Sequence, residues 1–171
     1  GAQNVAVLDG GLGKWLAEGR PVESGAAIDR PGRRYAAEKR DEEVVTKADI
    51  LAGTDLEIVD ARGAARFTGD GPDPRPNVAS GHIPGAKCLP MTALYRDDGT
   101  FRDAGEIAAL FAEAGIDPAR PFIASCGSGV TANSLLLAAR RMGGADGKLY
   151  DGSWSEWGAD PATPKALGPA R

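Results

Sequence analysis

The stretch that most constrains the fold runs from Pro121 to Met142. An apolar run, Phe122-Ile123-Ala124, leads directly into Cys126-Gly127-Ser128-Gly129-Val130-Thr131, and a helix-forming segment follows from Val130 to Met142. A buried strand that turns within a few residues into a helix is the signature of a parallel sheet covered by helices. The two glycines let the turn curl so that successive N–H groups point inward, and the helix start adds the positive end of its dipole. An anion is stabilised at such a centre. With a cysteine there, that anion is the thiolate, so Cys126 is the candidate nucleophile. Two plainer roles compete with catalysis. A cysteine is often merely packed, but packing does not account for the shape of the turn. Residues 127–132 also fit a loose G-x-G-x-x-G/A dinucleotide pattern, yet no acidic residue ends a strand about 20 residues on; Asp146 and Asp151 fall in turns.

Strand and helix signals alternate along the rest of the chain, which predicts an α/β fold with helices on both faces of a parallel sheet. Strands are expected at Arg34-Tyr35-Ala36-Ala37, Leu56 to Asp60, Ala86 to Leu89, Phe122 to Ala124 and Lys148 to Tyr150. Thr46 with Asp49, and Asp103 with Glu106, have capping-box spacing and predict helices through Leu51 and Ala114. A short helix is expected around Ala64 to Phe67. Pro72, Pro74 and Pro76 assign the stretch Asp70 to Asn77 to a surface loop.

At 171 residues and 42% hydrophobic content, the chain can bury one ordinary core. The net charge of −4 leaves no footprint for nucleic acid, and the clustered Arg30, Arg33 and Arg34 sit in a Pro/Gly stretch that reads as linker. No apolar run has transmembrane length, Gly1-Ala2-Gln3-Asn4 lacks the basic head of a secretion signal, and no Cys/His cluster offers a metal site. A disulfide between the two cysteines, Cys88 and Cys126, would quench the nucleophile, so a reducing compartment, the cytoplasm, is expected.

The loop Cys126 to Ala132, C-G-S-G-V-T-A, resembles the active-site signature of 3-mercaptopyruvate sulfurtransferases of the rhodanese-like superfamily. Asp60-Ala61-Arg62, Gly81-His82-Ile83-Pro84-Gly85-Ala86 and Asp151-Gly152-Ser153-Trp154-Ser155-Glu156-Trp157 are similar to further elements of that superfamily, in the same order. The resemblance implies a rhodanese-like domain that moves sulfur from 3-mercaptopyruvate to thioredoxin, another thiol or cyanide, through a persulfide on Cys126, with no cofactor. It assigns the donor's carboxylate and carbonyl to Arg66 and Arg75, the sulfur cradle to Gly127, Gly129, Val130 and Thr131, and proton handling to Ser128. Thiosulfate-using relatives carry cations where this chain has Gly127 and Ser128. Phosphatases with a similar loop need an arginine at the position of Ala132. The alternatives are a thiosulfate sulfurtransferase and a rhodanese-like binding module without turnover. By the same resemblance His82 belongs to a structural turn rather than to catalysis, Arg62 to an ion pair with Asp60 or another acidic neighbour, and Cys88 to the interior. Asn133 departs from the cysteine common just after the signature.

An internal repeat adds a second level of organisation. Leu8-Asp9-Gly10 to Trp15 aligns with Tyr150-Asp151-Gly152 to Trp157, keeping the D-G pair and the tryptophan at one spacing. Residues 1–22 are therefore expected to be the last strand and helix of a first rhodanese-like domain, 23–33 a linker, and 34–171 the catalytic domain. The missing part of that first domain is the expected docking partner.

Overall fold

In a computed structural model, residues 4–26, 32, 34, 36–38 and 40–170 are described. The strands are β1 (Val44–Val45), β2 (Glu57–Asp60), β3 (Lys87–Cys88), β4 (Phe122–Ser125) and β5 (Lys148–Tyr150). The helices are α1 (Gly11–Ala17), α2 (Lys47–Ala52), α3 (Ala64–Thr68), α4 (Ala104–Glu113), α5 (Asn133–Arg141) and α6 (Ser153–Trp157). The sheet order is β1-β5-β4-β2-β3, and every neighbouring pair is parallel.

All four residues of β4 are buried, as a central strand covered on both faces requires. Its side chains alternate between two cores. Phe122 and Ala124 join Val59, Ile107, Phe111 and Leu135 under α4 and α5. Ile123 joins Ile58, Ile50, Phe67, Trp154 and Trp157 under α2, α3 and α6. Both expected capping boxes form, Thr46 with Asp49 on α2 and Asp103 with Glu106 on α4. The chain leaves β2 for the edge strand β3 and returns to β4 on the other side of β2. The C-terminal ends of β2 and β4 therefore flank the point where strand order reverses, the place where open α/β sheets hold their ligands.

Two expectations need correction. The entering strand is not at residues 34–37: Tyr35 lies outside the described residues, and Arg34, Ala36 and Ala37 are in no strand. The edge is formed by Val44 and Val45, which pair with Leu149 and Tyr150, because β-branched side chains suit a pleated surface better than alanine. Regular helix after the cysteine loop begins at Asn133 rather than Val130. Of the basic linker cluster, Arg30 and Arg33 lie outside the described residues.

Helix α1 starts one residue after Asp9-Gly10, as α6 starts one residue after Asp151-Gly152, whereas residues 4–9 form no strand. The segment rests on the Arg96–Phe101 hairpin: Asp9 Oδ1 accepts the Phe101 N–H at 2.8 Å, and Lys14 Nζ meets Asp98 at 2.8 Å. Val5, Val7, Leu8, Leu12 and Leu16 stay exposed, and α1 buries no residue. Among the described residues no helix is long and apolar enough to cross a membrane.

At the end of β2, the carboxylate of Asp60 accepts Arg62 Nε and Nη2, the latter at 2.6 Å, with both side chains buried. Arg62 also donates to Gly81 O at 2.7 Å and lies over the Trp154 ring. The pair thereby joins β2, the turn at 81–85 and α6. Removing one partner of a buried pair strands the other charge. Arg62→Ala is expected to lose about 3–5 kcal/mol of stability in urea denaturation; a loss below about 1 kcal/mol would mean that Asp60 is hydrated rather than enclosed.

Candidate active site

Cys126 follows the last residue of β4, with 1% of its surface exposed. Its sulfur is surrounded by donors. Burial alone would push the thiol pKa up, but the Thr131 hydroxyl, the N–H groups of Ser128 and Ala132, and the Ser153 hydroxyl outweigh it, and the thiol lies below its ordinary value. Both amides precede the regular turns of α5 and have no helical carbonyl to bond, so they serve the sulfur. Cys88 shows the contrast. It is half-buried, its Sγ directed at Arg62 O, and burial followed by the nearby Asp60 charge pushes its thiol up to about 11. It is inert as a nucleophile.

The loop is held by α6. Trp154 N–H donates to Cys126 O at 3.0 Å and Ser155 N–H to Gly127 O at 2.9 Å. Ser153 Oγ accepts the N–H groups of Cys126 (3.1 Å) and Gly129 (3.0 Å), donates to Tyr150 O at 2.8 Å, and stands 4.0 Å from Cys126 Sγ. Its φ of 50° is unusual for a residue with a side chain and marks a conformation imposed by the surroundings. At Gly129, φ is 77° and a Cβ would stand 2.6 Å from Asp151 O, so only glycine fits. Asn133 Nδ2 donates to Gly129 O at 2.9 Å and Val130 O at 3.3 Å, closing the far end of the loop.

Two guanidinium groups cover the loop from the proline-rich segment and α3. A Cβ on Gly127 would stand 3.4 Å from Arg75 Nη2 and 3.5 Å from Arg66 Nη2, so both guanidinium groups lie against the loop at this residue. Arg75 donates to Gly127 O at 2.5 Å. Asp73 links the arginines, accepting Arg66 Nη2 at 2.7 Å and Arg75 Nε at 2.9 Å. The buried Nε of Arg66 has no partner among the described residues. Ser128 and Val130 form the exposed rim; Ser128 turns its backbone amide, not an anchored side chain, toward the sulfur.

The residues singled out from sequence, Arg66, Arg75, Cys126, Gly127, Ser128, Gly129, Val130 and Thr131, are thus gathered at one place. His82 is elsewhere in function: its ring stacks on Phe67 at 3.8 Å and its Nδ1–H donates to Phe67 O at 2.9 Å, a structural role. Sequence reasoning missed Ser153, Asp73 and the loop contact of Asn133. Nothing in a sequence announces a serine with positive φ. Asp73 did leave a signal, a carboxylate fixed between two prolines and two residues before an arginine.

A parallel α/β domain that presents a thiolate-favouring cysteine beyond its central strand, under two arginines, is built for nucleophilic chemistry on an anionic substrate. The rhodanese-like domain family matches residues 44–160, and the chain belongs to that family. It is 39% identical over 160 residues to 3-mercaptopyruvate sulfurtransferase of Mus musculus, covering 92% of this chain and 54% of the relative. Against the 3-mercaptopyruvate sulfurtransferase of Escherichia coli (strain K12) the identity is 41% over 162 residues, covering 93% and 57%. The chain spans a little over half the length of these curated relatives. Among solved structures, an EanB variant with a cysteine persulfide in a tetrahedral intermediate state with ergothioneine matches at a TM-score of 0.82 and 26% identity, covering 97% of this chain and 42% of that one.

Because the thiol pKa is lowered by hydrogen bonds that favour the thiolate, Cys126 alkylation by iodoacetamide is expected to rise with pH through a midpoint below that of a free cysteine. Thr131→Val removes one such bond, Ser153→Ala removes the hydroxyl 4.0 Å from the sulfur and the acceptor that holds the Cys126 and Gly129 amides, and each is expected to shift the midpoint upward. A midpoint unmoved in both variants would assign the effect to the backbone amides alone.

Proposed function

We propose that this chain is the catalytic half of a sulfurtransferase that takes sulfur from 3-mercaptopyruvate. The observation that carries it is the thiolate-favouring Cys126 beneath Arg66 and Arg75, in a loop with no cation of its own. The mouse and bacterial relatives both bear that activity in their names, over most of this chain.

In the first half-reaction Arg66 and Arg75 hold the donor's carboxylate and carbonyl through planar, charge-assisted bonds. The Cys126 thiolate attacks the donor's thiol sulfur. A sulfur–sulfur bond forms, the carbon–sulfur bond breaks, and its electron pair passes to carbon as pyruvate enolate. The enolate takes a proton through Ser128 or water, and the proton of the donor thiol balances it, so no external acid is consumed. The persulfide left on Cys126 occupies the ring of amides from Ser128 to Ala132. In the second half-reaction a thiol such as thioredoxin, or cyanide in an assay, attacks the outer sulfur and releases the Cys126 thiolate. No step calls for a metal or organic cofactor. A persulfide-bearing EanB structure shares the fold, which supports a persulfide on this scaffold. A free catalytic thiol suits a reducing compartment, the cytoplasm.

The D-G repeat before α1 and α6 and the exposed apolar side chains between Val5 and Leu16 support a partner: a first rhodanese-like domain of the same protein, which would cover that surface.

Intact mass spectrometry after brief exposure to 3-mercaptopyruvate tests the central claim, with the first domain supplied. One added sulfur, about 32 Da, is expected on the native protein and not on Cys126→Ser. Addition from thiosulfate alone would reassign the donor, and addition from neither would leave a rhodanese-like binding module.

A further inference from the structure

Asp73 is not one of the residues that touch the sulfur, yet it is the most enclosed charge in the site. Its side chain is 2% exposed, while those of Arg66 and Arg75 are 35% and 30% exposed. Its two oxygens serve both guanidiniums: Oδ2 accepts Arg66 Nη2 at 2.7 Å and Arg75 Nη2 at 3.2 Å, and Oδ1 accepts Arg75 Nε at 2.9 Å and the Arg75 N–H at 3.1 Å. Burial would favour its neutral form, but the bonds from Arg75 and Arg66 prevail, and the carboxyl is held well below the usual carboxylate range. The group stays ionised throughout any assay near neutrality.

The arithmetic of charge then has a consequence for the donor. Two guanidiniums facing the loop would carry two positive charges, and one carboxylate between them leaves one. Among the described residues, the other charged group that meets a loop glycine is Asp151, whose Oδ1 would lie 2.7 Å from a Cβ on Gly129, and it lowers the local potential further. With the Cys126 thiolate counted as well, the site holds no excess positive charge, so a donor with two negative charges meets more repulsion in this partly desolvated place than a donor with one. We infer that Asp73 is a specificity-determining residue: it offsets one of the two substrate-facing arginine charges, so that the site selects a monoanionic organic thiol donor over a dianionic inorganic one. This inference rests on the donor proposed above.

A residue that only orders the loop would behave differently, because its loss would weaken both donors together. The test compares kcat/KM for 3-mercaptopyruvate and for thiosulfate, with cyanide as acceptor, in the full-length protein and its Asp73→Asn and Asp73→Glu variants. Asp73→Asn is expected to lower the first and raise the second, moving their ratio about tenfold toward thiosulfate. Asp73→Glu, which keeps the charge, is expected to leave the ratio near that of the native protein. An equal loss for both donors in Asp73→Asn overturns the inference. A native protein that releases no pyruvate from 3-mercaptopyruvate overturns the donor assignment itself, a failure seen before any variant is made. Should Asp73→Asn not fold, competition in the native protein decides: pyruvate is expected to compete with the donor more tightly than sulfate does, and the reverse order overturns the inference.

Discussion

One hydroxyl group ties the catalytic loop to the sheet. Ser153 Oγ, anchored on Tyr150 O at the end of β5, receives the amides of Cys126 and Gly129 from the end of β4. The two strands are parallel neighbours, so their C-terminal ends stand side by side and a single atom can bridge the two turns beyond them. From there the rest of the loop is determined. The amides of Trp154 and Ser155 fix its first carbonyls, Asn133 fixes its last, and the N–H groups left over converge on the sulfur. The hydroxyl carries one proton, committed to Tyr150 O, so its 4.0 Å approach to Cys126 Sγ is a second use of the same group rather than a simultaneous bond. The strained backbone at Ser153 is the cost of placing that oxygen there.

Charge is organised on two levels around this loop. Asp60 and Arg62 are buried, paired with each other and turned toward Gly81 and Trp154, so they support the site without adding net charge. Arg66, Arg75 and Asp73 are not balanced, and they face the loop. The same residue type thus does opposite work at positions 62 and 66. What separates them is whether the nearest carboxylate serves one guanidinium or two.

The parallel α/β order and the place of the cysteine loop were legible in the sequence because both depend on local pattern. Buried strands read as apolar runs, and the capping boxes at Thr46 and Asp103 are spacings within one turn of helix. Val44 and Val45 were passed over because two residues make too short a run to register, and their pairing with β5 spans about a hundred residues of chain. Arg66 and Arg75 were found by resemblance, not by periodicity. Ser153 stayed hidden for a different reason: its role depends on a backbone angle and on two amides from a loop 24 to 27 residues away, and neither is written in local sequence.

Burial of the nucleophile sets the order of events in the proposed cycle. With Cys126 1% exposed, the proposed cycle puts the small donor first and the bulky protein thiol second. In that cycle sulfur transfer extends the nucleophile by about 2 Å, the length of a sulfur–sulfur bond, within a loop whose exposed residues are Ser128 and Val130. Val130 is 74% exposed, an apolar surface beside the loop that a protein acceptor can cover. The enclosed thiolate is thereby protected from adventitious oxidants, which need access to attack it. On the proposed reading, one loop serves a small donor in the first half-reaction and a larger acceptor in the second.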